Sequence, residues 1–156
     1  MTDPTPCLWF DGQAEQAVDF YLSIFPNSRV TRVMRCTEAG PYPVGAVLMI
    51  EFELDGRPLQ ALNGGPQYQF TPAVSLSISC DTQDEVDRYW ARLADGGQEV
   101  VCGWVTDRWG LSWQVVPRRL LELMNDPDPA VAARTMRAMQ AMVKIDIAGI
   151  EAAARG

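Results

Sequence analysis

The 156-residue sequence contains no histidine. That absence removes every Ser-His-Asp and Cys-His nucleophile pair. It also removes the commonest transition-metal ligand and the side chain that titrates near neutral pH. Any chemistry has to use carboxylates, Tyr, Cys, Ser or a bound cofactor. The four cysteines, Cys7, Cys36, Cys80 and Cys102, are widely spaced, so no C-x-x-C metal or redox motif exists. Basic residues are in the minority: Lys+Arg 13 against Asp+Glu 20 gives a net charge of −7. Such a chain repels phosphate backbones, so no nucleic-acid partner is expected. No apolar run approaches the roughly 18 residues of a membrane span, so no membrane association is expected. The opening Met1-Thr2-Asp3-Pro4-Thr5-Pro6 lacks the basic residue and apolar stretch of a signal peptide. With reduced thiols, this points to the cytoplasm.

What remains is an ordinary globular balance, 47% hydrophobic and 21% charged, able to bury a core. Cys7-Leu8-Trp9-Phe10 reads as a strand ended by Asp11-Gly12. Ala14, Ala17, Val18, Tyr21, Leu22 and Phe25 form an amphipathic helical stripe, stopped at Pro26-Asn27. Strands are expected over Ser28–Cys36, Val44–Leu54 and Arg57–Leu62, with a hairpin at Asp55-Gly56 and a break at Asn63-Gly64-Gly65-Pro66. The order then restarts: a strand over Ala73–Cys80, a helix capped by Asp81-Thr82 and running to Ala94, and strands over Glu99–Cys102, Trp104–Asp107 and Ser112–Pro117. Asp11 and Asp81, Gln13 and Gln83, Glu15 and Glu85, and aromatic Phe20 and Trp90 all stand 70 positions apart. The pattern reads as an internal duplication of a strand-helix-strand-strand-strand unit. Beyond it, Leu120–Met124 looks helical. Asp128 and Pro129 start a helix expected over Ala130–Lys144, and Asp146–Arg155 forms another. Met136, Met139 and Met142 make a stripe that reads as core or dimer contact.

Several motifs stand together: Leu8-Trp9-Phe10-Asp11-Gly12-Gln13-Ala14-Glu15, Phe20-Tyr21, Phe25-Pro26-Asn27-Ser28, Glu51-Phe52 with Leu54-Asp55-Gly56, Ala61-Leu62-Asn63-Gly64-Gly65-Pro66, Cys102-Gly103-Trp104, Trp113-Gln114-Val115-Val116-Pro117 and Lys144-Ile145-Asp146-Ile147. Over nearly the whole chain the sequence resembles the PhnB-like branch of the vicinal oxygen chelate superfamily, which includes glyoxalase I and extradiol dioxygenases. That branch is often catalogued as demethylubiquinone methyltransferase-like. The resemblance implies an α+β fold of two βαβββ modules whose curled mixed sheets surround a cup, with helices outside. The corresponding domain is residues 1–117, with modules at about 5–66 and 72–117, followed by a C-terminal helical extension over 118–156. It also implies dimers. Catalytic relatives hold a divalent metal through His, Glu or Gln at four places, which fall here near Pro6, Gln60, Ser75 and Gln114. A proline and a serine at two of them, with no charge at any, lead to the expectation of no metal.

Strand alternation supplies the candidate site. Ser75, Ser77 and Ser79 share one strand face, either a cup lining or a solvent face, with Leu76, Ile78 and Cys80 on the other. Gln114 stands opposite in phase to Trp113 and Val115. Leu8, Phe10 and Leu62 are expected as apolar wall, with Gln60, Ser75, Ser77 and Gln114 as polar points, the usual make-up of a small-molecule pocket. Trp104 and Trp109, with Tyr68 and Phe70, are candidates to cover an aromatic ligand. Glu51 is the one candidate general base, its pKa raised if it sits in a desolvated cup; a solvated charge is the alternative, and the one favoured for Glu53. No Gly-rich strand-to-helix loop suits a nucleotide-type cofactor, so none is expected. The expected function is binding of a small organic ligand. The rival is a lyase, isomerase, dioxygenase or transferase acting in the same cup, and a third reading is an interaction module built on the Met-rich helix. A homodimer braced by residues from Leu120 onward is expected.

Overall fold

A computed structural model describes residues 4–156. Met1, Thr2 and Asp3, which entered the signal-peptide reading, lie outside the described residues. The chain divides into two compact units, the first ending at Gln69 and the second running from Phe70 to Gly156.

In the first unit, β1 (Cys7–Phe10) leads into α1 (Ala14–Ile24), then β2 (Arg29–Arg35), β3 (Val47–Leu54) and β4 (Arg57–Asn63). The sheet order is β1-β4-β3-β2, with β1 parallel to β4 and the other pairs antiparallel. Asp55 and Gly56 join β3 to β4 with φ of 47° and 75°, both left-handed as a tight two-residue hairpin turn requires. β3 begins later than the expected Val44, because Gly45 takes φ 89° in the turn that returns to β2. Leu8, Phe10, Ile50, Phe52, Leu59 and Ala61 are buried on one sheet face. Ala14, Ala17, Val18 and Tyr21 of α1, which packs on β3 and β4, are buried with them.

In the second unit, β5 (Ser75–Cys80), α2 (Gln83–Ala94), β6 (Gln98–Glu99), β7 (Trp104–Thr106) and β8 (Ser112–Pro117) repeat the order. The sheet runs β5-β8-β7-β6, again with one parallel pair, β5 with β8. The two modules therefore share a topology, as the 70-residue offset implied. The strand expected over Glu99–Cys102 stops at Glu99, because Cys102 and Gly103 turn the chain at φ 63° and 78°. Trp90, Val105, Trp113 and Val115 are buried in the second core. Asp107 is buried too, and its carboxylate accepts from the Trp109 and Leu111 amides at 2.9 and 3.1 Å and from Trp113 Nε1 at 2.9 Å. These three donors satisfy a buried carboxyl group inside its own turn.

The extension belongs to this unit. It contains α3 (Arg118–Met124), α4 (Pro129–Gln140) and α5 (Ile147–Arg155). Asp128 and Asp146 cap α4 and α5 through the Ala130 and Ala148 amides. Leu120, Leu123, Ile145, Ile150 and Ala154 form a core, against which Val116, Met139 and Met142 pack. Met139 and Met142 of the methionine stripe thus face inward. α4 ends at Gln140 and not at the expected Lys144, and the following residues leave the helix to run against α2 and the 102–103 turn.

Candidate functional site

In each sheet one face is packed by a helix and the other turns away from it. The register decides which residues share the outward face. In the first unit Cys7 is level with Gln60 and Trp9 with Leu62, Gln60 is level with Glu51 and Leu62 with Met49, and these two continue to Arg32 and Met34. Two rows result: polar Cys7–Gln60–Glu51–Arg32 and apolar Trp9–Leu62–Met49–Met34. Directly paired residues point the same way, so Leu8 and Phe10 lie on the opposite face with Ala61. They are 5% and 3% exposed, inside the helix-packed core. The expected apolar wall of Leu8 and Phe10 beside Gln60 and Leu62 is therefore corrected: Trp9, Met49 and Met34 accompany Leu62.

Trp9 has a built seat. Its Nε1 donates to the Gly65 carbonyl at 2.8 Å, and the indole lies over Gly64 where any Cβ would collide with the ring. Tyr68 meets it edge-on, with ring centroids 5.0 Å apart. Glu51 accepts from Arg32 Nη2 at 2.6 Å, and the next ion pair, Arg29–Glu53, lies alongside at 2.9 Å. The Arg32 hydrogen bond and charge, with a further hydrogen bond from Gln60, hold the Glu51 carboxyl below its ordinary range despite some desolvation. The expectation of a raised pKa is corrected accordingly: Glu51 has a cation on it and remains ionised.

In the second unit the register brings Ser77, Gln114 and Trp104 level across three strands, with Ser75, Ser112 and Thr106 in the adjoining row. Four of the expected site residues, Ser75, Ser77, Trp104 and Gln114, thus share the face turned away from α2. Gln114 Nε2 donates to Ser75 Oγ at 2.8 Å. Ser77 and Ser79 are exposed, while Leu76, Ile78 and Cys80 point to the helix side, as the alternation implied. Trp109 lies beneath the Arg108 guanidinium, 5.6 Å from its ring centroid. Burial pushes the Cys7 thiol upward and drives Cys80 to about 11, so neither is a ready thiolate.

The donor set at the four places implied for a metal does not fit one. Pro6 contributes only its backbone carbonyl, which accepts from the Gln60 amide at 2.9 Å. Gln114 and Gln60 each commit an amide N–H, to Ser75 and to Glu51, and have only a neutral carbonyl oxygen to offer a dication. Among the described residues no three of His, Cys, Asp and Glu gather as a metal site. Among them, too, no helix is long and apolar enough to cross a membrane.

The comparisons with known proteins agree with this architecture. The family model for 3-demethylubiquinone-9 3-methyltransferase matches residues 2–116. The solved PhnB protein of Bacillus cereus, which carries the same methyltransferase designation, is 32% identical with a TM-score of 0.68; the match covers 74% of this chain and 99% of that one. A Pseudomonas aeruginosa protein, 20% identical with a TM-score of 0.62 over 75% of this chain and 98% of its own, shares the fold. No curated protein matches the chain. The family match across both βαβββ modules, with the sequence identity to the Bacillus structure, establishes that the chain belongs to the PhnB-like, 3-demethylubiquinone-9 3-methyltransferase family, with the glyoxalase-like fold.

Proposed function

We propose that the protein binds a small organic molecule on the outward sheet faces, without a divalent metal or nucleotide cofactor, as a cytoplasmic homodimer. The observation that carries this reading is the row Ser77–Gln114–Trp104. Small hydroxyls leave room, one amide supplies directional hydrogen bonds, and an indole supplies apolar area. On the first sheet, Gln60 and Leu62 beside Trp9 and Met49 offer a similar mix. The glycines support the absence of a nucleotide cofactor: Gly64-Gly65 leads to Pro66 rather than to a helix, and Gly96-Gly97 follows α2. The dimer reading rests on the family resemblance, and in this reading residues from Leu120 onward brace the contact.

The test is native mass spectrometry of the purified full chain to identify a retained molecule, followed by calorimetric titration with that molecule. Gln114→Leu should weaken binding by about 1–3 kcal/mol by leaving a ligand polar group unanswered. Ser75→Phe should abolish binding by filling the face. Unchanged affinity in both variants would move the site elsewhere. Elemental analysis with about one tightly held divalent ion per chain would reject the metal-free reading, and a monomer at micromolar concentration by light scattering would reject the dimer.

A second reading, catalysis as a lyase, dioxygenase or transferase, would rest on Glu51, a weak base while Arg32 holds its pKa down. Its ionised carboxylate beside Gln60 can accept a proton from a substrate lying on the Trp9–Leu62 row. Glu51→Gln abolishing turnover of the identified molecule, with binding retained, would support it.

A further inference from the structure

The chain after α4 does not simply connect two helices. Residues 142–147 run as a strap tied to the second module at five points. The Met142 and Val143 carbonyls accept from the Cys102 and Gly103 amides, both at 2.8 Å. Gln83 at the start of α2 donates to the Ile145 carbonyl at 3.1 Å and accepts from the Ile147 amide at 2.9 Å. Lys144 pairs with Asp87 at 2.6 Å. Ile145 is completely buried, and its Cγ1 would lie 3.0 Å from a Cβ placed on Gly103.

The segment this strap holds is the one that aims Trp104. Cys102 and Gly103 both take left-handed φ, a conformation that costs a non-glycine residue energy and persists where its surroundings enforce it. The turn they make places Trp104 in β7, level with Gln114. The Gly103 carbonyl in turn accepts from the Val115 amide at 2.8 Å, so the turn is pinned between strap and sheet. The strap lies outside the matched family region, which ends at Val116.

We propose that the C-terminal extension is a positioning brace: through the 142–147 strap it fixes the 102–103 turn and so sets where the Trp104 indole stands on the outward face of the second sheet. Gln83 and Ile145 are its positioning residues. As a ligand-site device the brace rests on the small-molecule reading above; as a mechanical coupling it does not.

The test uses no ligand, so its failure is separate from failure of the binding reading. The full chain is labelled with 5-fluorotryptophan, giving five fluorine resonances, that of Trp104 assigned with Trp104→Phe. Amide exchange is followed in the same samples. Gln83→Ala should raise exchange at Cys102 and Gly103 on the order of tenfold and shift or broaden the Trp104 line. The Trp9 line should hold, and that of buried Trp113 reports an intact fold. If the single change leaves exchange unaltered, Gln83→Ala/Ile145→Gly removes the buried anchor as well; amides still protected then would overturn the brace. So would fast exchange at 102 and 103 with an unmoved Trp104 line. Arg134→Ala, which frees the Ala153 and Ala154 carbonyls without touching the strap, is the control. An equal effect on Trp104 from that variant would mean general loosening and would also reject the proposal.

Discussion

The two modules have the same strand order and start their helices in different ways. α2 is self-sufficient: Thr82 accepts from the Glu85 amide at 3.2 Å while the Glu85 carboxylate accepts from the Asp81 amide at 2.7 Å, a reciprocal cap written within five residues. α1 has no side-chain cap of its own at Gln13. Its first amide, that of Ala14, is answered by Asn63 from the end of β4 at 2.9 Å, and Asn63 also donates to the Val47 carbonyl at 3.0 Å. The outward faces differ in the same spirit. The first carries long charged side chains joined in pairs across β2 and β3; the second carries serines, Thr106 and Gln114. Duplicated backbones thus hold while side chains diverge, and the diverged positions are those outside the helix-packed cores.

The largest expected effect sets Gly97 against Gly64. A Cβ on Gly97 would overlap the Thr106 carbonyl and crowd the Asp107 backbone, neither of which can rotate away. Gly97→Ala should cost about 3 kcal/mol, read by urea unfolding. At Gly64 the obstacle is the Trp9 side chain, which can swing outward. Gly64→Ala should cost only about 1 kcal/mol and move the Trp9 fluorescence toward that of an exposed indole. Equal losses would mean that both turns are equally rigid.

Next come the caps. Asn63→Ala strips partners from two buried backbone groups and should cost about 2–3 kcal/mol. Thr82→Ala leaves an exposed helix start and should cost about 1 kcal/mol. A reversed order by chemical denaturation would show that the borrowed cap is dispensable.

The thiols sharpen the same contrast between surface and core. Cys7 is exposed, its thiol raised only by partial desolvation, whereas Cys80 is completely buried with its thiol raised to about 11. At pH 8, iodoacetamide should modify Cys7 well before Cys80, as read by peptide mass spectrometry. Comparable rates would mean that β5 opens readily.

The local signals explain how much was legible. Asp55-Gly56, the Pro129 start and the Ser75–Cys80 alternation depend on neighbours in sequence, and the turn, the helix start and the strand faces formed where the pattern placed them, although β3 and β5 begin later and α4 ends earlier than expected. The duplicated order followed from the same signals. Asn63 was legible only as a strand breaker, because its role depends on α1 and β3. The mistake over Leu8 and Phe10 has the same origin. Alternation sorts β1 into two faces but does not say which face Gln60 joins; only the pairing of Cys7 with Gln60 does. The Gly64-Gly65 pair, read as a break, was the available hint that a large ring such as Trp9 lay close by. On the second sheet the serine run carried its own phase, so Ser75, Ser77 and Gln114 fell together.

The smallest effect on stability is expected at Arg32, where the charge difference between the two outward faces is concentrated. Arg32→Ala removes an exposed partner, and ion pairs of this kind contribute little to folding, so thermal unfolding at pH 7 should hardly move. Its effect should appear in titration instead. With Arg32 present, the Glu51 pKa lies below the ordinary glutamate value, chiefly because the Arg32 guanidinium hydrogen-bonds the carboxylate. The stabilisation linked to that shift is fully present above the ordinary glutamate range and is lost as pH falls through the lowered value. Without Arg32, hydrogen bonding from Gln60 remains but the guanidinium does not, so Glu51 should titrate at higher pH and its contribution to acid stability should shrink. Carbon-detected NMR of the Glu51 carboxyl measures this directly. If Glu51 titrates unchanged in the variant, its ionisation is set by the sheet and Gln60 alone, and the charged character of the first outward face does not depend on β2.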